Sequence, residues 1–262
     1  MSVQVMESTT TLPAEESPLR AGRATIVLLV YFVVQLLAGF AAGIVGVVLV
    51  IFRGGNLQGP DLGREVMRIV GAPAMIASLV AGGVAMVLMS FHVVRGRLHD
   101  GSSTGAAWRV GPAKNLGKGL GIGLILPFCT GLMAITLFGL PHIEKLGPLA
   151  QMAVTPGFAH WAWMFMALAL APLIEEPLFR GVLYAGYRQS FGPAGAAVLT
   201  TFLFVLMHVT EMVYYWPAVI SITGLALATL WLRLRFAAIG PAIAAHFGYN
   251  MIVALAATFQ VQ

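Results

Sequence analysis

Of 262 residues, 59% are hydrophobic and only 10% are charged, with a formal net charge of +5; an average soluble domain carries about 25% charged residues, so a soluble globular protein is excluded. A single cysteine, Cys129, excludes an intrachain disulfide framework and a cysteine-based metal site. There is no internal repeat, no glycine-rich nucleotide loop and no nucleic-acid signature, and no nucleic-acid partner is expected.

Residues 1–23 (MSVQVMESTTTLPAEESPLRAGR) are polar and read as a disordered cytoplasmic tail. The apolar run that follows is about twice the length of a signal-peptide core and lacks a small-residue cleavage site. It therefore reads as a first membrane helix, Ala24 to Phe52, with Gln35 as its only strongly polar side chain. Further apolar segments cover 71–94, 119–140, 159–184, 194–209, 214–232 and 240–260. A membrane-crossing helix needs roughly 20 mostly apolar residues. No alternating barrel pattern appears, and hydrocarbon cannot satisfy exposed backbone groups. The expected fold is all-α, a polytopic integral membrane protein with seven transmembrane helices, or eight if the fourth segment breaks at its prolines. Residues 24–158 form its N-terminal helices and 159–262 the part that carries the chemistry.

Within 71–94, GAPAMIASLVAGG predicts close helix–helix approach through small residues. The connection 95–118 is basic and contains Trp108; it reads as an amphipathic piece at the membrane surface or as a solvated loop. Lys and Arg favour the cytoplasmic side. Placing Arg95, Arg97, Arg109, Lys114 and Lys118 inside also puts Arg20, Arg23, Arg188, Arg233 and Arg235 inside, against Arg53, Arg64, Arg68 and Lys145 outside. Trp161, Trp163, Tyr214, Tyr215 and Trp216 then fall at outer boundaries, where amphipathic rings favour the interface. The expected location is a bacterial-type plasma membrane, multi-pass, with a cytoplasmic N-terminus. His92, His99, His142 and His160 lie at segment boundaries and receive no functional role.

The stretch APLIEEPLFRGVLY (171–184) places Glu175, Glu176 and Arg180 inside an apolar segment. An ionisable group in hydrocarbon costs about 2.5 to more than 10 kcal/mol and persists mainly when paired or used. Glu176 and Arg180, four apart, share a helix face; Glu175 projects elsewhere and lacks that partner. With Pro172 and Pro177, the expected picture is a helix broken at Pro172 and restarting near 176, both acids at its electropositive N-terminus. The alternative is a structural Glu–Arg clamp. Two further pairs lie on apolar segments: Phe204 and His208 in FLFVLMHVTE, and His246 and Asn250 in AAHFGYN. Together these residues supply a base, a proton shuttle and neutral hydrogen-bond donors, the parts that activate water and hold an oxyanion.

EEPLFR, FVLMH and HFGYN fit the patterns EExxxR, FxxxH and HxxxN. In order and context they resemble the CAAX-processing and bacteriocin-processing (CPBP) family of intramembrane endopeptidases, which includes the type II CAAX prenyl endopeptidases; the likeness covers roughly 159–255. It implies an intramembrane endopeptidase acting on membrane-associated peptide or protein substrates, by CAAX-type or bacteriocin- and leader-type processing. By the same resemblance Glu175 and His208 activate the water, His246 and Asn250 stabilise the oxyanion, and Glu176 and Arg180 support them. Glu211, outside the pattern, is a candidate to orient His208. Two histidines and a carboxylate also make a three-ligand zinc set with water in the fourth place. The zinc-helix signature HExxH is absent and Asn250 suits an oxyanion hole better, so the favoured reading requires no cofactor and zinc is the alternative. Other readings of the same residues are a non-catalytic membrane immunity or scaffold protein and a proton-coupled transporter.

A turn near 189–193 would put Glu175 and His208 at comparable depths, roughly 22 and 27 Å from it at 1.5 Å per residue. His246, six residues past Gly240, would lie only roughly 9 Å from its own connection. Simple up-and-down alternation leaves it too shallow to meet the other two.

Overall fold

The structure, a computed structural model, describes residues 19–54, 62–102, 105–139 and 147–259. The expected tail lies outside the described residues as far as residue 18, as do His142 and Lys145. Among the described residues the regular elements are helical: α1 (Ala21–Phe52), α2 (Leu62–Val94), a single 3-10 turn (Arg95–Arg97), α3 (Ala113–Phe138), α4 (Pro148–Val154), α5 (Phe158–Phe165), α6 (Ala171–Glu176), α7 (Tyr184–Met207), α8 (Val209–Tyr214), α9 (Ala218–Phe236) and α10 (Gly240–Thr258). Between α5 and α6, and between α6 and α7, the helix continues as π turns over Met166–Leu170 and Pro177–Leu183. Six of these helices are long and apolar enough to cross a membrane, so the expected seven to eight is approximate.

The continuous run Phe158–Met207 has 50 residues and would measure about 75 Å if straight, more than twice the roughly 30 Å hydrocarbon core. It is not straight. Gly192 has φ +73° and ψ 175°, a conformation L side chains rarely adopt, and Pro193 follows it. The chain folds back there into a long arm and a return arm, 193–207. Phe179 and Phe204, at similar distances on either side of Gly192, bring their ring centroids to 5.3 Å. The turn falls where the sequence places it.

The expected break at Pro172 is absent. A proline interrupts an α pattern because it lacks the N–H and its ring crowds the carbonyl four residues back. Here each proline adjoins a π turn, whose i→i+5 spacing offers that carbonyl a later donor. The helix therefore passes through both, and Glu175 and Glu176 sit mid-helix with no helix N-terminus beneath them.

Every residue from 174 to 187 is buried, which makes this stretch the axis of the bundle. Its apolar jacket comes from Val27, Leu28 and Tyr31 of α1, Met86 of α2, Phe204 of the return arm, and Leu225 and Ala226 of α9. α1 by contrast turns Leu36, Phe40 and Phe52 outward, 70–83% exposed, as lipid-facing residues do. The small-residue stretch of α2 makes the expected close approach: a Cβ at Gly82 would stand 3.0 Å from the Tyr31 carbonyl, and one at Gly83 2.6 Å from Ile174 Cδ1.

A second close approach positions α10. A Cβ at Gly119 would lie 2.1 Å from the Pro241 carbonyl oxygen, and one at Gly123 2.0 Å from that of Ala245. Small residues are what allow helix backbones to touch in this way. Gly123→Ala should therefore lower stability by about 1–3 kcal/mol. Gly121→Ala, where a Cβ meets nothing within 4 Å, should leave stability unchanged or raise it. Thermal unfolding in detergent checks both; equal shifts for the pair would show that α3 does not fix α10.

Candidate functional site

The site is built around Glu176, which is fully buried. One carboxylate oxygen accepts the His246 Nδ1–H at 2.9 Å, and the other lies 3.3 Å from Arg180 Nε. That Nε also donates to Thr229 Oγ1 at 2.8 Å, and Thr229 in turn donates to the Leu225 carbonyl. The face of the guanidinium stacks on Phe204, 4.2 Å from the ring centroid, where the ring's negative face favours a cation. One carboxylate thus joins the long arm to α10, and its arginine partner reaches α9 and the return arm.

Glu175 has different surroundings. It is 7% exposed and its Oε2 has no hydrogen-bond partner among the described residues. Its electrostatic neighbours include His208 and His246. His208 lies at the joint between α7 and α8, with φ −98° and ψ 17°, a backbone region common at functional sites. Its Nδ1 donates to the Phe204 carbonyl at 2.8 Å, and the two rings lie 4.8 Å apart. Since a carbonyl only accepts, the Nδ1 bond leaves the neutral ring with an unprotonated Nε2. Asn250, one turn beyond His246 on α10, donates from Nδ2 to the Ala167 carbonyl at 2.7 Å, which orients its amide and leaves a second N–H.

The structure thus brings Glu175, Glu176, Arg180, His208, His246 and Asn250 into one neighbourhood. The depth difficulty for His246 has a simple resolution. The Arg180 carbonyl accepts from Arg233 Nε at 3.1 Å, so Arg180 is level with the last turn of α9. The Gly192 turn lies 12 residues further on, or about 18 Å. The hairpin overshoots the α9–α10 turn, and its acids sit at the height of His246. Glu211, expected to orient His208, instead accepts from the Thr210 hydroxyl at 3.0 Å; the Phe204 carbonyl holds the imidazole.

The connection 95–118 is expected to be an amphipathic piece or a solvated loop; between its 3-10 turn and α3, residues 98–102 and 105–111 are neither. They form a packed strap across the basic end of the bundle, with Leu98, Ala106 and Ala107 buried. Arg233, itself buried, donates to the Gly105 carbonyl at 2.7 Å, and Trp108 Nε1 donates to the Pro177 carbonyl at 3.2 Å. The Ile239 and Gly240 N–H groups donate to the carbonyls of Ala107 and Arg109. The sequence reading places Arg233 only as an inner-side basic residue and gives Thr229 no role; a buried arginine near the end of an apolar helix is indistinguishable there from a boundary residue. Inside the strap, the Ser102 hydroxyl and then its backbone N–H donate to Asp100, which holds that carboxyl below the ordinary carboxylate range.

For a metal, both imidazoles have Nδ1 engaged and Nε2 available, a common second-shell pattern. Among the described residues, however, no three His, Cys, Asp or Glu side chains converge as a ligand set. No step below is routed through a metal.

The acid, histidine and asparagine residues share one feature beyond proximity. Residues 156–252 match the family model described as type II CAAX prenyl endopeptidase Rce1-like. The matched segment is just over a third of the chain and contains all six residues; α1, α2, α3 and the strap lie outside it. No curated protein and no solved structure matches the chain. The likeness is to that family's segment, and the network around Glu176 lies within it.

Arg233→Met should release the strap. Limited proteolysis between residues 98 and 111, with fragments identified by mass spectrometry, should accelerate at least about tenfold, a local opening that has become roughly 1.4 kcal/mol easier. Acid should loosen the same segment. The contribution of Asp100 is fully present above the ordinary carboxylate pKa and is lost as pH falls from there through the lowered value. A strap equally resistant in the variant would show that Arg233 does not hold it.

Proposed function

We propose that this chain is an intramembrane endopeptidase that hydrolyses membrane-associated peptide or protein substrates with water activated by Glu175 and His208. The observation that carries the reading is the contrast between adjacent acids. Glu176 takes a hydrogen bond from His246 and an ion pair with Arg180, although its Oε2, like Glu175 Oε2, makes no hydrogen bond among the described residues; Glu175 Oε2 is buried with two imidazoles as electrostatic neighbours and has neither kind of partner there. A structural clamp would pair both acids. A buried carboxylate oxygen without a hydrogen bond, next to imidazoles, is placed to take a proton.

In the proposed reaction Glu175 accepts one proton of the water while His208 Nε2 accepts a hydrogen bond from the other. The water oxygen attacks the scissile carbonyl carbon. The resulting oxyanion receives hydrogen bonds from the second N–H of Asn250 and from His246 Nε2–H, and Glu176 at Nδ1 stabilises the imidazolium this requires, as a carboxylate does in a hydrolytic triad. Collapse breaks the C–N bond, and Glu175 returns its proton to the leaving nitrogen. The products are a carboxylic acid and an amine. Glu176 and Arg180 act as support.

The substrate class is CAAX-type or bacteriocin- and leader-type peptides held at a lipid bilayer. The proposed setting is the plasma membrane with the basic end of the bundle, and hence the N-terminus, cytoplasmic. Of the basic residues that support this orientation, Arg20, Arg97, Lys114 and Arg235 lie at or beside helix ends, and Arg188 lies four residues before the Gly192 bend.

The test is cleavage of a library of membrane-anchored peptides by the reconstituted protein. Glu175→Gln and His208→Ala should each lower kcat/KM by about 10²–10⁴, the range for a lost acid–base group, with folding unchanged. Cleavage at the wild-type rate in both variants contradicts the assignment. Loss of activity in strong chelator with recovery on adding zinc contradicts the metal-independent mechanism.

A further inference from the structure

Outside the matched segment, α1 carries one strongly polar side chain in its apolar run, Gln35. Lipid contact would favour an apolar residue there, and Gln35 does not face lipid. It lies against α2 at Gly82, where an added Cβ would stand 2.5 Å from Gln35 Cγ and 3.1 Å from its Nε2. The next residue of α2, Gly83, packs on Ile174, the chain neighbour of Glu175. Two consecutive glycines of α2 therefore seat Gln35 and the Ile174 side chain, the latter one residue before Glu175.

One turn earlier on the same face, Tyr31 is 2% exposed. Its phenol is a neighbour of both Glu175 and the Gln35 side chain. The Gln35 Nε2 is buried and has no acceptor among the described residues. A buried amide nitrogen without an acceptor is destabilising in an apolar surrounding, so its placement needs a reason in function or solvent. Glu175 Oε2 and Gln35 Nε2 are thus an unpartnered acceptor and an unpartnered donor on neighbouring elements. Peptide backbone offers the matching acceptor as a carbonyl, which lipid chains do not.

We propose that Tyr31 and Gln35 form a substrate-binding wall of the site, Gln35 Nε2 donating to a peptide carbonyl beside the scissile bond and Tyr31 holding Glu175 and the Gln35 amide in register. This rests on the endopeptidase reading above. Gln35 is a specificity-determining residue for an extended peptide backbone, and Tyr31 is a positioning residue. They approach from α1, whereas His246 and Asn250 approach from α10, so a peptide is held from two helices that do not share a segment.

The experiment uses the full chain in lipid nanodiscs and a fluorescent lipid-anchored peptide that the wild type cleaves. Affinity is measured in the Glu175→Gln background, where the peptide is not turned over. Gln35→Met keeps the side-chain shape and removes the donor. It should weaken peptide binding about tenfold, the scale of one lost hydrogen bond, while thermal unfolding stays at or above the wild-type temperature, because a buried unpaired amide has gone. In the active protein it should raise KM by more than it lowers kcat, and Tyr31→Phe should lower kcat by more than it raises KM. Unchanged peptide affinity in Gln35→Met, with cleavage intact in the wild type, overturns this inference alone and leaves Gln35 a packing or water-bound residue. A wild type that neither cleaves nor binds any membrane-anchored peptide overturns both the inference and the endopeptidase reading.

Discussion

The bundle is organised by one buried carboxylate. Glu176 lies in a shell of apolar residues from several helices, where an ionised group is stable only with close, oriented partners. Arg180 at 3.3 Å and His246 at 2.9 Å supply them. Because those partners lie one turn away on the same helix and on α10, satisfying this charge also fixes which helices are neighbours. Arg180 then extends the arrangement to Thr229 and Phe204, and its carbonyl to Arg233. Removing Glu176 would leave a buried guanidinium without its anion, and α10 would lose its charged tie to the long arm while keeping its glycine contacts with α3 and the Asn250 and Gly240 hydrogen bonds.

Adjacent acids in one helix thereby acquire different characters. Glu176 is held from two sides, while Glu175, a quarter-turn away, faces the imidazoles with an oxygen unpaired. The apolar jacket serves both. It strengthens the Glu176 pairings by lowering the local dielectric, and it keeps competing donors away from Glu175. The π turns on either side contribute by letting a helix with two prolines stay continuous, so that the acids are positioned by the middle of a rigid element.

Much of this was legible in the residues. Apolar run lengths gave the helices, the 189–193 stretch gave the turn, and comparable distances from it put Glu175 and His208 at similar depths across the hairpin. The four-residue spacings gave Glu176–Arg180, Phe204–His208 and His246–Asn250. Other features depend on partners distant in sequence. A break at Pro172 was the local expectation, but tertiary burial of 174–187 favours a continuous helix and π turns supply the missing pairing. The strap was unreadable because its order comes from Arg233 and from the α9–α10 turn, and its own composition is that of a loop. The height of His246 depended on the hairpin overshooting its neighbours, which no single segment length reveals. Glu211 was close to His208 in sequence, yet the imidazole found the Phe204 carbonyl one turn back on its own helix.

The central claim is that Glu176 and His246 bind each other across the bundle. A double-mutant cycle on unfolding free energy in bicelles, with Glu176→Gln, His246→Ala and the double variant, measures that coupling directly. The account predicts an interaction of about 1–3 kcal/mol, as for contacting groups in a charged hydrogen bond. Additive single effects, with a coupling near zero, would mean that α10 is held by its packing alone and that the acids and the histidine do not form one network.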